Sequence, residues 1–179
     1  MTSIESRIGA ELNVSGAFRP SWQRKVGVRP IRIREASWPA DRTALETVRC
    51  AVFVTEQNVP RALEFDGRDA NALHWLALTP EEEPVGTLRL LPSGPIGRPE
   101  VLPTYRGRGV GSRLLRHAIA AAEAHGWSEV WVNAQYVRRG FYAAHGFIVI
   151  SDLFEDAGIP HQRMLRRLNQ DARALRGVN

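Results

Sequence analysis

The stretch Val101-Leu102-Pro103-Thr104-Tyr105-Arg106-Gly107-Arg108-Gly109-Val110-Gly111 runs from a short apolar segment through a glycine-rich turn. Immediately after it, Val110, Leu114, Leu115, Ala118, Ile119 and Ala122 recur at helical spacing, and Gly126 stands where a C-cap glycine would end the helix. A strand, a glycine turn and a helix start in that order make an anion site. The first helical N–H groups have no intrahelical partner, and the helix dipole favours negative charge there. Gly107, Gly109 and Gly111 would let backbone amides come close to a pyrophosphate, with Arg106 and Arg108 adding positive charge. With 23 arginines and 15 glycines in 179 residues, an Arg-x-x-Gly-x-Gly match is expected roughly 0.16 times by chance, so its context must identify it. A dinucleotide fold would need Gly-x-Gly-x-x-Gly after an early strand and an acid about 20 residues on, and a P-loop would need Gly-Lys-Ser/Thr. Both are missing.

Upstream of the loop, Ile31 and Ile33 alternate with Arg32 and Arg34 as a first strand, and Pro39 and Asp41 open a helix carrying Leu45, Val48, Val52 and Phe53. Residues 58–71 read as an irregular loop, followed by strands over 72–78 and 85–91 joined through Pro80 and the acidic run Glu81-Glu82-Glu83. Residues 92–97 read as a Pro/Gly-rich connection leading to a short strand near Val101 and Leu102. Downstream, Val130 and Val132 mark a strand, Phe141 to Ala143 a short helix, and 147–150 and 164–168 two last strands separated by a polar loop. The order β, α, β, β, β, α, β, α, β, β indicates an α/β fold with a mixed sheet. Residues 1–27 read as a flexible extension, 28–168 as the domain and 169–179 as a tail.

At this point the chain resembles a family. The loop looks like the acetyl-CoA loop of GNAT acetyltransferases, and Phe141-Tyr142-Ala143-Ala144-His145-Gly146-Phe147 is similar to their Phe-Tyr-x-x-x-Gly-Phe segment. Arg49-Cys50-Ala51-Val52-Phe53-Val54-Thr55-Glu56-Gln57, Asp66, His74, Ala134-Gln135 and Glu155-Asp156-Ala157-Gly158-Ile159-Pro160-His161 resemble the ElaA-like branch. Together these segments span about residues 30–168. The resemblance implies a mixed, mostly antiparallel central sheet with helices on both faces, and an N-acetyltransferase moving an acetyl group from acetyl-CoA directly to an amine of a small molecule or peptide.

It also implies a site. Val101, Arg106, Gly107, Arg108, Gly109, Val110, Gly111 and Ser112 would hold the coenzyme, together with Tyr142, which matches the family's usual acid. A phenol with pKa near 10 is a suitable proton donor to a thiolate. For the base, Glu56, Asp66, His74 and His161 are all candidates, with Glu56 preferred, while many members of the family it resembles instead pass the proton through water; His74 also fits a core histidine on an apolar strand. Asp66, His74, Glu100, Gln135 and His161 are expected around the acceptor. Counting back from Arg106, the strand position whose backbone N–H in the family usually bonds the acetyl carbonyl falls on Pro99, which has no N–H. That leaves an alternative reading, a GNAT-fold protein using another acyl-CoA or binding CoA without ordinary acetyl transfer.

Composition fits this reading. The chain is 44% hydrophobic and 24% charged, and no apolar run is long enough to cross a membrane. Residues 1–16 lack the pattern of a secretory signal, so a cytoplasmic setting is expected. The lone cysteine, Cys50, reads as a small core hydrophobe rather than a nucleophile. No recurring His/Cys/carboxylate spacing suggests a metal. The net charge of +5 comes from scattered arginines, including basic ends at Arg19 to Arg34 and Arg163 to Arg176. Charge alone is weak support for nucleic-acid binding, which is not expected. A monomer or homodimer is expected.

Overall fold

In the computed structural model, which describes residues 30–92 and 94–168, eight strands form one sheet in the order β1-β2-β3-β4-β5-β8-β6, with β7 paired to β8. The strands are β1 (Arg32–Ala36), β2 (Leu73–Leu78), β3 (Pro84–Leu90), β4 (Pro95–Val101), β5 (Glu129–Gln135), β6 (Ile148–Val149), β7 (Phe154–Asp156) and β8 (Ile159–Arg167). All pairings are antiparallel except β4 with β5. The expected terminal extension and tail lie outside the described residues.

Side-chain alternation in β2 sorts the two layers. Trp75 and Ala77 join the core built with α3 (Val110–Ala124), through its Leu114, Leu115, Ala118 and Ala122. Leu76 and Leu78 turn the other way onto Leu45 of α1 (Trp38–Arg49), as the period of two requires. Helix α3 ends where its glycine predicts: Gly126, at φ 74°, lets Trp127 N–H reach the Ala122 carbonyl (3.0 Å).

Several expectations need correcting. The first helix does not continue as α-helix through Phe53. After Arg49 it widens into a π-helical segment, Cys50–Glu56, in which the Gln57 N–H bonds the Val52 carbonyl five residues back (3.0 Å). Second, the 58–71 loop holds a short helix, α2 (Arg61–Glu64), and a 3₁₀ turn, Asp69–Asn71.

Third, residues 95–97 are strand rather than connection. Pro95 opens β4, and Pro99 lies in a β-bulge; a missing N–H is tolerated at both places. Thr87 pairs with Glu100 and Arg89 with Gly97, so Arg98 and Pro99 together face Leu88. Arg98 takes the left-handed conformation, φ 53°. The polar loop before the last strand contains β7, joined to β8 by the two-residue turn Ala157-Gly158, both at positive φ (51° and 76°).

Candidate active site

β4 and β5 pair only at Pro95↔Trp131 and Ile96↔Val132. Beyond Ile96 they part, and the gap opens into a cleft of about 500 Å³. At one end of it lies the glycine loop. Gly107 (φ 72°) and Gly109 (φ 74°) are both left-handed, and a Cβ added at either would meet nothing within 4 Å. Gly109 caps α3 without a side-chain bond, and the first helical N–H taken up is that of Arg113, to the Gly109 carbonyl (3.1 Å). The amides of Val110, Gly111 and Ser112 are thus left at an open, positively polarised helix end. Such an end suits an anionic group.

Val101, Arg106, Gly107, Gly109, Val110, Gly111, Ser112 and Tyr142 all line the cleft; Arg108 does not, its guanidinium lying over the Tyr105 ring. The Leu102 N–H goes to Val85 on β3 (2.9 Å), while the Val101 carbonyl accepts from Arg106 Nε (2.8 Å). In an antiparallel strand the N–H and C=O of one residue point to the same side. The Val101 N–H therefore faces away from β3, into the cleft, on the strand where Pro99 offers no donor.

Glu56 does not stand free. Both its oxygens accept from Arg106 (2.7 and 2.6 Å), and that hydrogen bond chiefly holds its carboxyl below the usual glutamate range. A carboxylate so stabilised is a poor proton acceptor. Asp66 and His74, expected at the acceptor site, line no part of the cleft. Asp66 accepts both Nη atoms of Arg89 (2.7 and 2.8 Å), and its pKa is driven far down by that bond. His74 is buried beside Trp38, with Nε2 against the Asp69 carbonyl (2.9 Å), and burial pushes its pKa down. Asp66 belongs to an ion network in which Arg49, Arg89 and Arg98 face Glu64, Asp66 and Asp69, and His74 packs at its edge against the Asp69 backbone. Three cations meet three anions there, which is how so many charges can be buried together.

Glu100, Gln135 and His161 do line the cleft. Burial pushes the Glu100 carboxyl up to about 7, against the opposing pull of Arg106, Arg138 and a hydrogen bond from Gln57. Tyr142 is 5% exposed, and its phenol is raised well above its ordinary value by burial first and the Glu100 charge second. His161 Nδ1 meets the Ile159 carbonyl (2.7 Å), and its ring stacks on Phe154. Cys50 is partly exposed and touched by Arg61, outside the cleft.

Sequence reasoning passed over Arg68, Arg98, Trp131, Asn133, Arg138 and Asp156 as cleft residues. For Arg138, the available signal was its place between Gln135 and Tyr142, two residues already singled out. Among the described residues no group of three or more His, Cys, Asp or Glu could hold a metal ion.

A family profile described as "Acetyltransferase (GNAT) domain" matches residues 40–168. The chain belongs to the GNAT acetyltransferase family. Protein ElaA of Escherichia coli is 35% identical over 140 residues, covering 71% of this chain and 88% of ElaA. The crystal structure of that ElaA superposes with a TM-score of 0.69 at 31% identity, covering 76% of this chain and 99% of ElaA's. An acyl-CoA N-acyltransferase from Pseudomonas aeruginosa matches equally well, with a TM-score of 0.69 at 28% identity over 76% of this chain and 99% of its own. A GNAT family acetyltransferase from Elizabethkingia anophelis, solved with acetyl-CoA bound, shares the fold at a TM-score of 0.57 and 14% identity, over 77% of this chain and 98% of its own. This GNAT chain is an acyl-CoA-dependent acyltransferase, and its mixed sheet flanked by helices is the family architecture.

Proposed function

We propose that the protein transfers an acetyl group from acetyl-CoA directly to an amine of a small molecule or peptide, with Glu100 as general base and Tyr142 as general acid. The observation that carries this reading is the juxtaposition, in one cleft with the glycine cradle, of a carboxyl near neutrality and a buried phenol.

When bound, acetyl-CoA supplies an acyl carbon activated by its thioester. The open loop and the bare N-terminus of α3 would seat its pyrophosphate, and the gap between β4 and β5 would take its extended arm. The Val101 N–H is placed to hold the arm by its amides.

Glu100 and Tyr142 divide the proton work. An amine attacking the acyl carbon becomes cationic and must lose a proton, and a carboxylate with pKa near 7 accepts it at the smallest cost. As the new C–N bond forms and the C–S bond breaks, the sulfur leaves with the electron pair and takes the Tyr142 proton. The tyrosinate then recovers a proton from the pool that Glu100 has loaded, so none is gained or lost overall. The two groups are coupled. An ionised Glu100 raises the Tyr142 pKa, so protonating Glu100 removes that opposition and makes the phenol a better acid when the thiolate departs.

Glu56, preferred among the candidate bases from the sequence, is not given that role here because Arg106 already holds its charge. In exchange it ties the π-helical segment to the coenzyme loop. Arg106 therefore acts first on Glu56 and the Val101 carbonyl, and the backbone amides carry most of the anion binding.

The test is thiol release from acetyl-CoA, with an amine acceptor, as a function of pH. The rate should rise through about pH 7 in the wild type, following Glu100. Glu100→Gln should lose on the order of 10² to 10⁴ in kcat and with it the acid limb, while Glu56→Gln keeps the limb. An unchanged limb in Glu100→Gln would remove Glu100 from the role.

The bulge favours one further reading. Since Pro99 presents no amide to the acyl oxygen, the enzyme could prefer an acyl group seated by another donor. A donor series of acetyl-, propionyl- and succinyl-CoA distinguishes the two readings by kcat/KM.

A further inference from the structure

Ser112, in the first turn of α3, lines the cleft, and its Oγ lies 2.9 Å from Nε2 of His145, a half-buried residue behind the cleft wall. His145 stands just past the α4 helix (Arg139–Ala143), in a turn closed by its N–H on the Tyr142 carbonyl (2.9 Å). Its own carbonyl accepts from Arg166 Nη1 on β8 (2.7 Å), and its ring meets Phe141 edge-on, with 5.0 Å between centroids. Phe141 in turn lies against Gly111, where an added Cβ would come 3.6 Å from its Cζ. The backbone, ring and Nε2 of His145 are therefore all fixed with respect to the turn into which the coenzyme loop leads.

We propose that His145 is a positioning residue for coenzyme binding, its Nε2–H donating to Ser112 Oγ so that the Ser112 hydroxyl proton is turned into the cleft, toward a pyrophosphate oxygen. The proposal rests on the reading that the glycine loop and the start of α3 seat the pyrophosphate.

Its physical basis is the proton count of the pair. A serine hydroxyl has one proton to donate and two lone pairs, and a neutral imidazole has one N–H and one bare nitrogen. The 2.9 Å contact is satisfied by two proton arrangements, and only one of them serves an anion. If Nε2 is bare, the Ser112 proton is spent on the ring, and the hydroxyl shows only lone pairs to a phosphate, which repels them. If Nε2 carries the proton, the ring donates to Oγ and the hydroxyl proton is free. That proton then makes a hydrogen bond to a charged oxygen, the stronger kind, beside the unpaired amides of the same helical turn. Ser112 thus adds a side-chain donor to the backbone donors of the loop, on the condition that His145 holds it in the right sense.

The surroundings of the ring make this a choice between tautomers rather than a matter of charge. Burial, then Arg116 on α3 and Arg166 on β8, hold the His145 pKa below its ordinary value. The elements packed on it present Ser112 and Arg116 from α3, Phe141 from α4 and Arg166 from β8. At pH 8 the imidazole is therefore neutral, and its single proton sits on one nitrogen or the other.

The test reads the proton and the affinity separately, both at pH 8 with CoA as the probe. In protein labelled with ¹⁵N at histidine, NMR correlations between the ring nitrogens and ring protons report the tautomer, with His145→Gln assigning the signal. In the CoA complex His145 should carry its proton on Nε2. Calorimetric titration then gives the Kd for CoA. Ser112→Ala and His145→Leu should each weaken binding by roughly tenfold, the size of one hydrogen bond to a charged group, and the double variant should lose no more than either single one. His145→Gln, whose side-chain N–H can donate to Oγ as Nε2–H does, should recover most of the affinity. A bare Nε2 in the CoA complex would overturn the proposal, and the wild-type spectrum decides this even if His145→Leu does not fold. Losses that multiply to about a hundredfold in the double variant would overturn it as well, because independent effects are what loosened packing gives. Gly109→Trp separates the underlying reading: if that variant bound CoA as tightly as the wild type, the loop would not seat the coenzyme and both readings would fall, whereas lost binding there with unaltered binding in Ser112→Ala and His145→Leu would sink the His145 role alone.

Discussion

Glu100 sits on a strand flanked by apolar residues, and its burial has a stability consequence with a definite sign. Burial pushes its carboxyl up to about 7, above the ordinary glutamate value of 4.5. The folded state therefore tolerates the neutral acid and resists the carboxylate, so stability is full below the unfolded pKa and falls as pH rises through 7. Glu100→Gln should accordingly match the wild type near pH 4 and exceed it by a few kcal/mol at pH 8. Paired urea titrations at the two pH values measure this, and equal stabilities at pH 8 would contradict the buried carboxyl. Gly109 makes a second prediction at this scale. Its Cβ position opens into space, so Gly109→Trp should fold with only the modest cost of a left-handed non-glycine residue, about 1–2 kcal/mol. Stabilisation of that variant by CoA in a thermal-shift titration should vanish, because the indole would occupy the pyrophosphate cradle.

Among the elements, β4 shows best where sequence reasoning succeeds and where it stops. Pro99 was legible as an anomaly because proline lacks an N–H, but the contacts that hold the bulge around it were not. That bulge depends on Arg98, whose left-handed conformation is held from outside the strand by Glu64 Oε2 (2.9 Å) and by the Leu63 and Glu64 carbonyls (both 2.9 Å). Those partners are 34 and 35 residues away, and no local pattern reports them. The same distance effect misassigned Asp66 and His74. Their residue types suit an acceptor site, though His74 also read as a core histidine, and the tertiary pairing with Arg89 and Trp38 puts both in the framework. By contrast the glycine loop, the period of α3 and the alternation at the start of β1 are local signals and were read directly. Arg98→Ala should remove the anchor and leave Glu64 buried with one cation fewer, a loss on the order of 3 kcal/mol. It should also lower kcat as Pro99 and Glu100 shift. Arg98→Lys, which keeps the charge but not the reach to two carbonyls, should recover part of the stability, measurable by thermal unfolding.

At the scale of the whole molecule, the sheet is a frame with one deliberate defect. Antiparallel pairing continues from β1 to β4 and from β5 outward, and the parallel β4–β5 contact fails after two residue pairs. The gap is spanned from the end of the π segment: Glu56 holds Arg106, after β4, and the following Gln57 holds Gln135 on β5. Filling the gap with ligand should therefore stabilise the two halves together. CoA at 100 times its Kd should add about 2.7 kcal/mol, read as a rise in Tm that a low-affinity nucleotide does not reproduce.

The most direct test of the central claim is amine-dependent thiol release from acetyl-CoA at pH 8 by the wild-type protein, across a panel of small amines and amino-terminal peptides, with mass spectrometry of the acceptor. The account predicts thiol release matched one for one by an acetylated amine, abolished in Gly109→Trp and strongly reduced in Glu100→Gln. Stabilisation by CoA with no amine-dependent release from any donor or acceptor in the series would contradict it.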